Sequence, residues 1–183
     1  MKTLIQSIRL TLVLIVLLCV IYPVIITFAG KLSKGQGDGE KIIVNGKVVG
    51  YAAIGQKFDK PQYFWGRPSA VAYNAAGSGG SNKGPSNPDY LKDVKSRIDT
   101  LLKYHPDLQK SEIPADLVTA SGSGLDPDIS PESAKIQIKR VAQFRKLDEQ
   151  KVAALVSAHI EAPLFGPKKV NVLKLNVALD ELK

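Results

Sequence analysis

The sequence predicts an α+β soluble domain with a small sheet, anchored by one N-terminal transmembrane helix. Three observations predict it. Leu10 to Gly30 contains no charged residue. Two β-branched runs flank Asn45-Gly46. Beyond residue 85, apolar residues recur at helical spacing behind recognisable caps.

The apolar run, with Leu12 to Ile21 at its centre, is long enough for the roughly 30 Å hydrocarbon core of a bilayer. A helix is required there, because lipid offers no partner to an open backbone. The competing reading is a cleaved signal peptide, with Lys2 and Arg9 as its basic region and Thr27-Phe28-Ala29 as the cleavage site. Signal h-regions run only about 7–15 residues, which favours a retained anchor. Lys2 and Arg9 precede the run and Lys31 and Lys34 follow it, so flanking charge leans only slightly to an N-terminus inside. The organisation expected is a short tail at 1–9, a transmembrane helix at 10–30, a polar Gly-rich tether at 31–40 and a soluble domain at 41–183.

In the domain, Asn45-Gly46 is a strong hairpin signal. Tyr51, Phe58, Tyr63, Phe64 and Trp65 concentrate aromatic surface and are expected in the core. Residues 74–88 are a loop that ends in Asn87-Pro88, an N-cap followed by proline at the first helical position. The helix that follows faces inward through Leu91, Val94, Ile98, Leu101 and Leu102. Leu117-Val118-Thr119 is expected as a short buried strand. Ser130-Pro131-Glu132 starts another helix, with Ala134, Ile138, Val141 and Ala142 inward, and Asp148 caps a third. Leu173, Leu175, Val177 and Leu179 alternate with mostly polar residues and are expected as a final strand.

The chain has 183 residues and a net charge of +8, but its lysines are scattered rather than clustered, which disfavours nucleic-acid binding. Cys19 is the sole cysteine and lies in the apolar run, so the domain holds no disulfide. Self-sufficient chemistry is hard to find. Gly77 to Gly84 looks like a phosphate cradle but lacks the Gly-Lys-Ser/Thr ending that places a lysine on phosphate and a hydroxyl on Mg²⁺. Asp126 and Asp128 could open a Ca²⁺ loop, but Pro131 and Gln137 stand where Gly and Glu are needed. The two carboxylates are better read as caps for the Ser130 helix. His105, before Pro106, suits a cation at a helix end. Neither His105 nor His159 has a partner at metal-ligand spacing. No Gly-x-Ser-x-Gly elbow occurs.

Three blocks in order carry a family resemblance. The first runs from Gly55-Gln56-x-Phe58 through Tyr63-Phe64-Trp65-Gly66-Arg67-Pro68-Ser69-Ala70 to Tyr73-Asn74. The second is Ser78-Gly79-Gly80-Ser81-Asn82 with Ser86-Asn87-Pro88. The third runs from Leu117 through Ser121-Gly122-Ser123-Gly124-Leu125-Asp126 and Ile129-Ser130-Pro131 to Gln137-x-x-Arg140-Val141-Ala142. The chain resembles the KdpC family, the C subunit of the bacterial Kdp potassium-transporting P-type ATPase. Asp128 departs from the family pattern, which has His or Asn there.

The resemblance implies an accessory and assembly subunit that stabilises the complex and promotes ATP binding or coupling. It implies three partners: a P-type ATPase subunit, a potassium-channel-like subunit and a small membrane peptide. No cofactor is expected on the chain alone; ATP and Mg²⁺ are implied for the complex. The Ser121-Gly122-Ser123-Gly124 loop with Gln137 resembles the signature loop of ABC transporters, a nucleotide-related set. Ser78, Gly79, Gly80, Ser81, Asn82 and Asp126 are expected to dock a partner or shape an ion path, with Asp126 and Asp128 offsetting positive charge toward K⁺. The expected location is the cell membrane, single-pass, with the N-terminus cytoplasmic and the domain extracytoplasmic. The rival expectation is an independent membrane-anchored ligand-binding or hydrolase domain.

Overall fold

A computed structural model of the chain describes residues 1–182 and divides it into two compact units, Met1–Lys41 and Ile42–Lys183. In the first unit the helix is continuous over Lys2–Gly30, 29 residues. At 1.5 Å per residue that is about 43 Å, long and apolar enough to cross a membrane. Residues 2–9, expected as a tail, already belong to the helix. It comprises α1 (Lys2–Ile15), a π-helical stretch (Val16–Ile21) and α2 (Tyr22–Gly30). The wide turn has a local cause. Pro23 lacks an N–H and its ring crowds the carbonyl one turn back. The chain widens instead, and the Tyr22 N–H reaches the Leu17 carbonyl.

The second unit opens on a hairpin, β1 (Lys41–Val44) and β2 (Lys47–Tyr51). Asn45 and Gly46 both have positive φ, 50° and 75°, as a two-residue hairpin turn demands. Helix α3 spans Pro88–Tyr104, and the Asn87 side chain accepts from the Asp89 and Tyr90 N–H groups at 3.0 and 3.1 Å. Leu101 is its buried residue, whereas Leu91 faces solvent, against expectation. The helix expected from Ser130 is two: α4 (Pro131–Lys135) and α5 (Ile138–Arg145), divided at Ile136-Gln137. Asp148 caps α6 (Glu149–Ala158), accepting from the Gln150 N–H at 2.7 Å.

The main sheet is small and antiparallel. Its strands are β3 (Asp128–Ile129), β4 (Ile160–Glu161) and β5 (Lys169–Asn171), with β5 central. Two expected strands are not strands. Pro114 precedes a 3₁₀ turn at Ala115–Leu117, and the Thr119 hydroxyl caps back onto the Ala115 carbonyl at 2.7 Å. Val172–Glu181 is a helix, α7, started by Asn171, whose side chain accepts from the Lys174 N–H at 3.0 Å. The alternation of leucines hid a second pattern: Val172, Leu175, Asn176 and Leu179 also fall on one helical face, and all are buried.

The core lies between the sheet and helices α4 to α7, built from Phe64, Val141, Val152, Val156, Val170, Leu175 and Leu179. Phe64 enters it on a segment, residues 61–65, that belongs to no strand. Buried side chains satisfy that backbone. Asn176 accepts from the Phe64 N–H at 2.9 Å and donates to its carbonyl at 3.0 Å. Gln137 does the same for Trp65, at 2.7 and 3.2 Å. Arg140 donates to the carbonyls of Pro61 and Tyr63. A buried backbone group must find a partner, and here side-chain amides replace a neighbouring strand.

Candidate functional site: two polar loops joined by the 66–73 segment

Where the 61–65 segment leaves the core, it becomes the support of a polar surface. Arg67 pairs with Asp126 at 2.9 Å, both side chains about one-quarter exposed (26% and 29%). The Pro68 carbonyl accepts from the Ser121 N–H at 3.2 Å. Ser69 donates to the Gly124 carbonyl at 2.6 Å and accepts from the N–H groups of Val71 and Tyr73 at 3.2 and 2.9 Å. These last bonds close a tight turn in which Ala72 and Tyr73 take positive φ, 51° and 60°. The Tyr73 hydroxyl donates to the Arg67 carbonyl, and burial, reinforced by the Asp126 charge, raises its pKa.

The same turn brings two loops together. The Gly79 N–H and the Ser78 hydroxyl both donate to the Ser123 carbonyl, at 2.8 and 2.9 Å. Gly124, at φ +68°, lies so close to the 78–82 loop that a Cβ would sit 2.7 Å from the Gly79 carbonyl oxygen. The two sets expected separately, residues 78–82 and 121–124, therefore form one surface. Ser78, Ser81, Asn82, Gly122 and Ser123 are exposed on it. Beside it a cavity of about 340 Å³ is lined by Ser81, Lys83, Tyr90, Asp93 and Arg97 among others.

Several expectations need correction at this level. Ser121 is buried, and its contribution is a backbone bond rather than an exposed hydroxyl. Gln137 is fully buried, and its amide is spent on Trp65, on Arg140 at 2.6 Å and on the Ser133 carbonyl at 3.0 Å. It presents no free polar atom to a nucleotide. Asp126 and Asp128 do not cap the Ser130 helix. Ser130 caps it, accepting from the Ser133 N–H at 3.1 Å, and Asp116 holds Ser130 and Ser133 at 2.6–3.2 Å. Asp126 accepts from the Asp128 N–H at 3.0 Å as well as pairing with Arg67. Asp128 pairs with Lys169 at 2.6 Å, and that bond first of all raises the lysine's pKa. Both carboxylates are thus matched by cations and add little net negative charge to the surface.

His105 overturns the helix-end cation reading. Its Nδ1 lies 2.7 Å from the Leu101 carbonyl, and its Nε2 accepts from the Arg140 Nε at 3.1 Å. One ring nitrogen donates and the other accepts, so the imidazole is neutral. Burial chiefly, and the Arg140 charge in addition, hold its pKa below the ordinary value. The clamps by Gln137, Arg140 and Asn176 were missed in the sequence; the signal available was a polar residue on each inward helical face.

With this geometry in place, comparison with known proteins is decisive. The family described as KdpC, the c chain of the K⁺-transporting ATPase, matches residues 4–181. The chain belongs to the KdpC family. Among its relatives are proteins named potassium-transporting ATPase KdpC subunit. One from Flavobacterium johnsoniae is 63% identical over 183 residues, covering all of both chains. One from Bacteroides fragilis is 52% identical over 189 residues, covering 100% of this chain and 99% of its own. One from Paraburkholderia phytofirmans is 52% identical over 169 residues, 88% of each. The chain is thus the KdpC subunit type of a K⁺-transporting ATPase, and its apolar N-terminal helix fits a single-pass membrane protein.

Proposed function

We propose that the chain is an accessory and assembly subunit of the ATP-driven potassium import complex, and that the joined surface of residues 78–82 and 121–124 docks on a partner subunit. The observation that carries this is the junction itself. Ser69, Arg67, Ser78 and Gly79 fasten two exposed polar loops to each other with bonds the hydrophobic core does not require. Such pre-organisation lowers the ordering cost of binding. The partners are those of the family: the P-type ATPase subunit, the channel-like subunit and the small membrane peptide.

In this reading the N-terminal helix crosses the membrane once, with its N-terminus in the cytoplasm and the domain outside. ATP is then on the other side. The buried Ser121 and the fully engaged Gln137 accord with that. Any effect on ATP affinity reaches the ATPase subunit as a coupling free energy between separate sites.

The test is affinity purification of the tagged chain from cells grown at limiting K⁺. The partner subunits are expected to co-purify with the wild type. Gly122→Trp adds bulk where a Cβ meets nothing within 4 Å, so the fold should survive while recovery of partners falls. Full recovery with Gly122→Trp, at normal protein levels, would mean that the loops are turns and not a docking surface.

A further inference from the structure

Arg140 is 1% exposed, yet every partner it has among the described residues is neutral. Its guanidinium stacks on the Trp65 ring, 4.0 Å from the centroid. Its N–H groups reach the carbonyls of Pro61 and Tyr63, Gln137 Oε1 and His105 Nε2. Burial pushes its pKa down to about 9, so it is still a cation at neutral pH. A buried cation can donate to an imidazole only while that imidazole is neutral.

We propose that His105 is an acid-sensitive latch: protonating its imidazole turns the bond to Arg140 into a repulsion between two cations, loosens the 61–65 segment and so weakens the joined-loop surface. This concerns regulation of the docking surface and rests on the function proposed above.

The path is continuous in the chain. Arg140 and Gln137 hold residues 61–65. Arg67, Pro68 and Ser69, directly downstream, hold the 121–126 loop. Water can reach the latch through a cavity of about 190 Å³ lined by Tyr104, His105, Arg140 and Gln143 among others.

Among the described residues, each carboxylate lining this cavity already has an ion-pair or hydrogen-bond partner other than His105. From α3 comes Tyr104, and from the segment after it Asp107 and Glu112. Asp107 is paired with Lys139 of α5, and Glu112 accepts from the Gln109 N–H at 2.7 Å. From α5 come Lys139 and Arg140, and Trp65 lies edge-on with ring centroids 6.2 Å apart.

The sign follows from linkage. The folded-state pKa of His105 is depressed, so the unfolded chain binds more protons below the ordinary histidine value of about 6.5. The latch contributes its full stability above that pH and loses it as pH falls toward the folded pKa. At full slope the folding constant drops by up to about tenfold per pH unit.

Trp65 is the only tryptophan and touches both partners, so it reports directly. The full chain in detergent is titrated from about pH 8 to about pH 5, following Trp65 emission, melting temperature and hydrogen exchange. The wild type is expected to show an emission transition below about pH 6.5, a falling melting temperature and, relative to the intrinsic exchange rate at each pH, lower amide protection at residues 66–67, 69, 78–82 and 121–126. His105→Gln should abolish all three. His159→Gln should leave them in place, since His159 lies at the end of α6, bonded to Leu155. A flat wild-type emission profile overturns the latch without any variant. So does a transition that survives in His105→Gln. A Trp65 transition with unchanged amide protection in the two loops overturns the coupling. Partner co-purification at neutral pH, where the latch is closed, tests the docking reading separately.

Discussion

Replacing Asn176 with leucine should unfold a large part of the domain's stability margin while leaving the surface untouched. Asn176 is 2% exposed and forms both backbone bonds of Phe64, at 2.9 and 3.0 Å, and Phe64 is itself fully buried. Leucine is close in size and fills the space, so no cavity term arises. It can neither donate nor accept. Each buried backbone group left unpaired costs about 1–3 kcal/mol, which gives about 2–6 kcal/mol for the pair. A domain of this size has only about 5–15 kcal/mol in total. Urea titration of the full chain in detergent, read by Trp65 fluorescence, measures the change in midpoint. Asn74→Ala serves as control: Asn74 is exposed and its side chain accepts only from the Ala76 N–H at 3.0 Å, so it should change stability by less than about 1 kcal/mol. If Asn176→Leu also costs less than about 1 kcal/mol, the Phe64 backbone finds other partners, and the account of the 61–65 segment as held by buried side chains is wrong.

Three further outcomes are expected. Gly124→Ala should cost at least about 1 kcal/mol and reduce recovery of partner subunits, because its Cβ would meet the Gly79 carbonyl at 2.7 Å at a positive φ; unchanged stability would show that the loop junction yields freely. Amino-terminal sequencing of the mature protein should begin ahead of the apolar helix; a chain starting near Gly30 would make residues 1–29 a removed leader. A membrane-impermeant thiol reagent on intact cells should label Lys83→Cys, since Lys83 is exposed and the natural Cys19 lies in the apolar helix; labelling only after lysis would place the domain in the cytoplasm.

Legibility in the sequence followed physical locality. The apolar N-terminal helix, the Asn-Gly hairpin and the caps at Asn87, Ser130 and Asp148 are decided within a few residues, and each is present. The errors arose where tertiary context chose between local options. Leu173 to Leu179 satisfies a two-residue and a helical period alike, and the Asn171 cap together with burial on α6 and the sheet selects the helix. Leu117 to Thr119 is too short for periodicity to speak, and Pro114 sets a 3₁₀ turn instead. At the candidate site, the three residue blocks were visible as motifs, but not that Ser69 and Arg67 bind the 66–73 segment to the 121–126 loop across more than fifty residues of chain. Gln137 and His105 were misread because an isolated polar residue reveals its type and not its partner. Their partners, Trp65 and Arg140, lie far away in sequence.

The π-helical stretch at Val16–Ile21 has a consequence for how the anchor meets its neighbours. A single wide turn accommodates one residue more than an α-turn, which sets every later side chain back by about 100° around the axis relative to an uninterrupted helix. The stripe that α1 presents along Leu10 and Leu14 is therefore not continued by the residues of α2 that a straight helical wheel would select. A helix packed along this one must change stripes at Val16–Ile21, or two different helices must each take one half. Crosslinking with single cysteines walked along the anchor should show contacts that follow one periodicity up to Ile15 and resume out of phase from Tyr22.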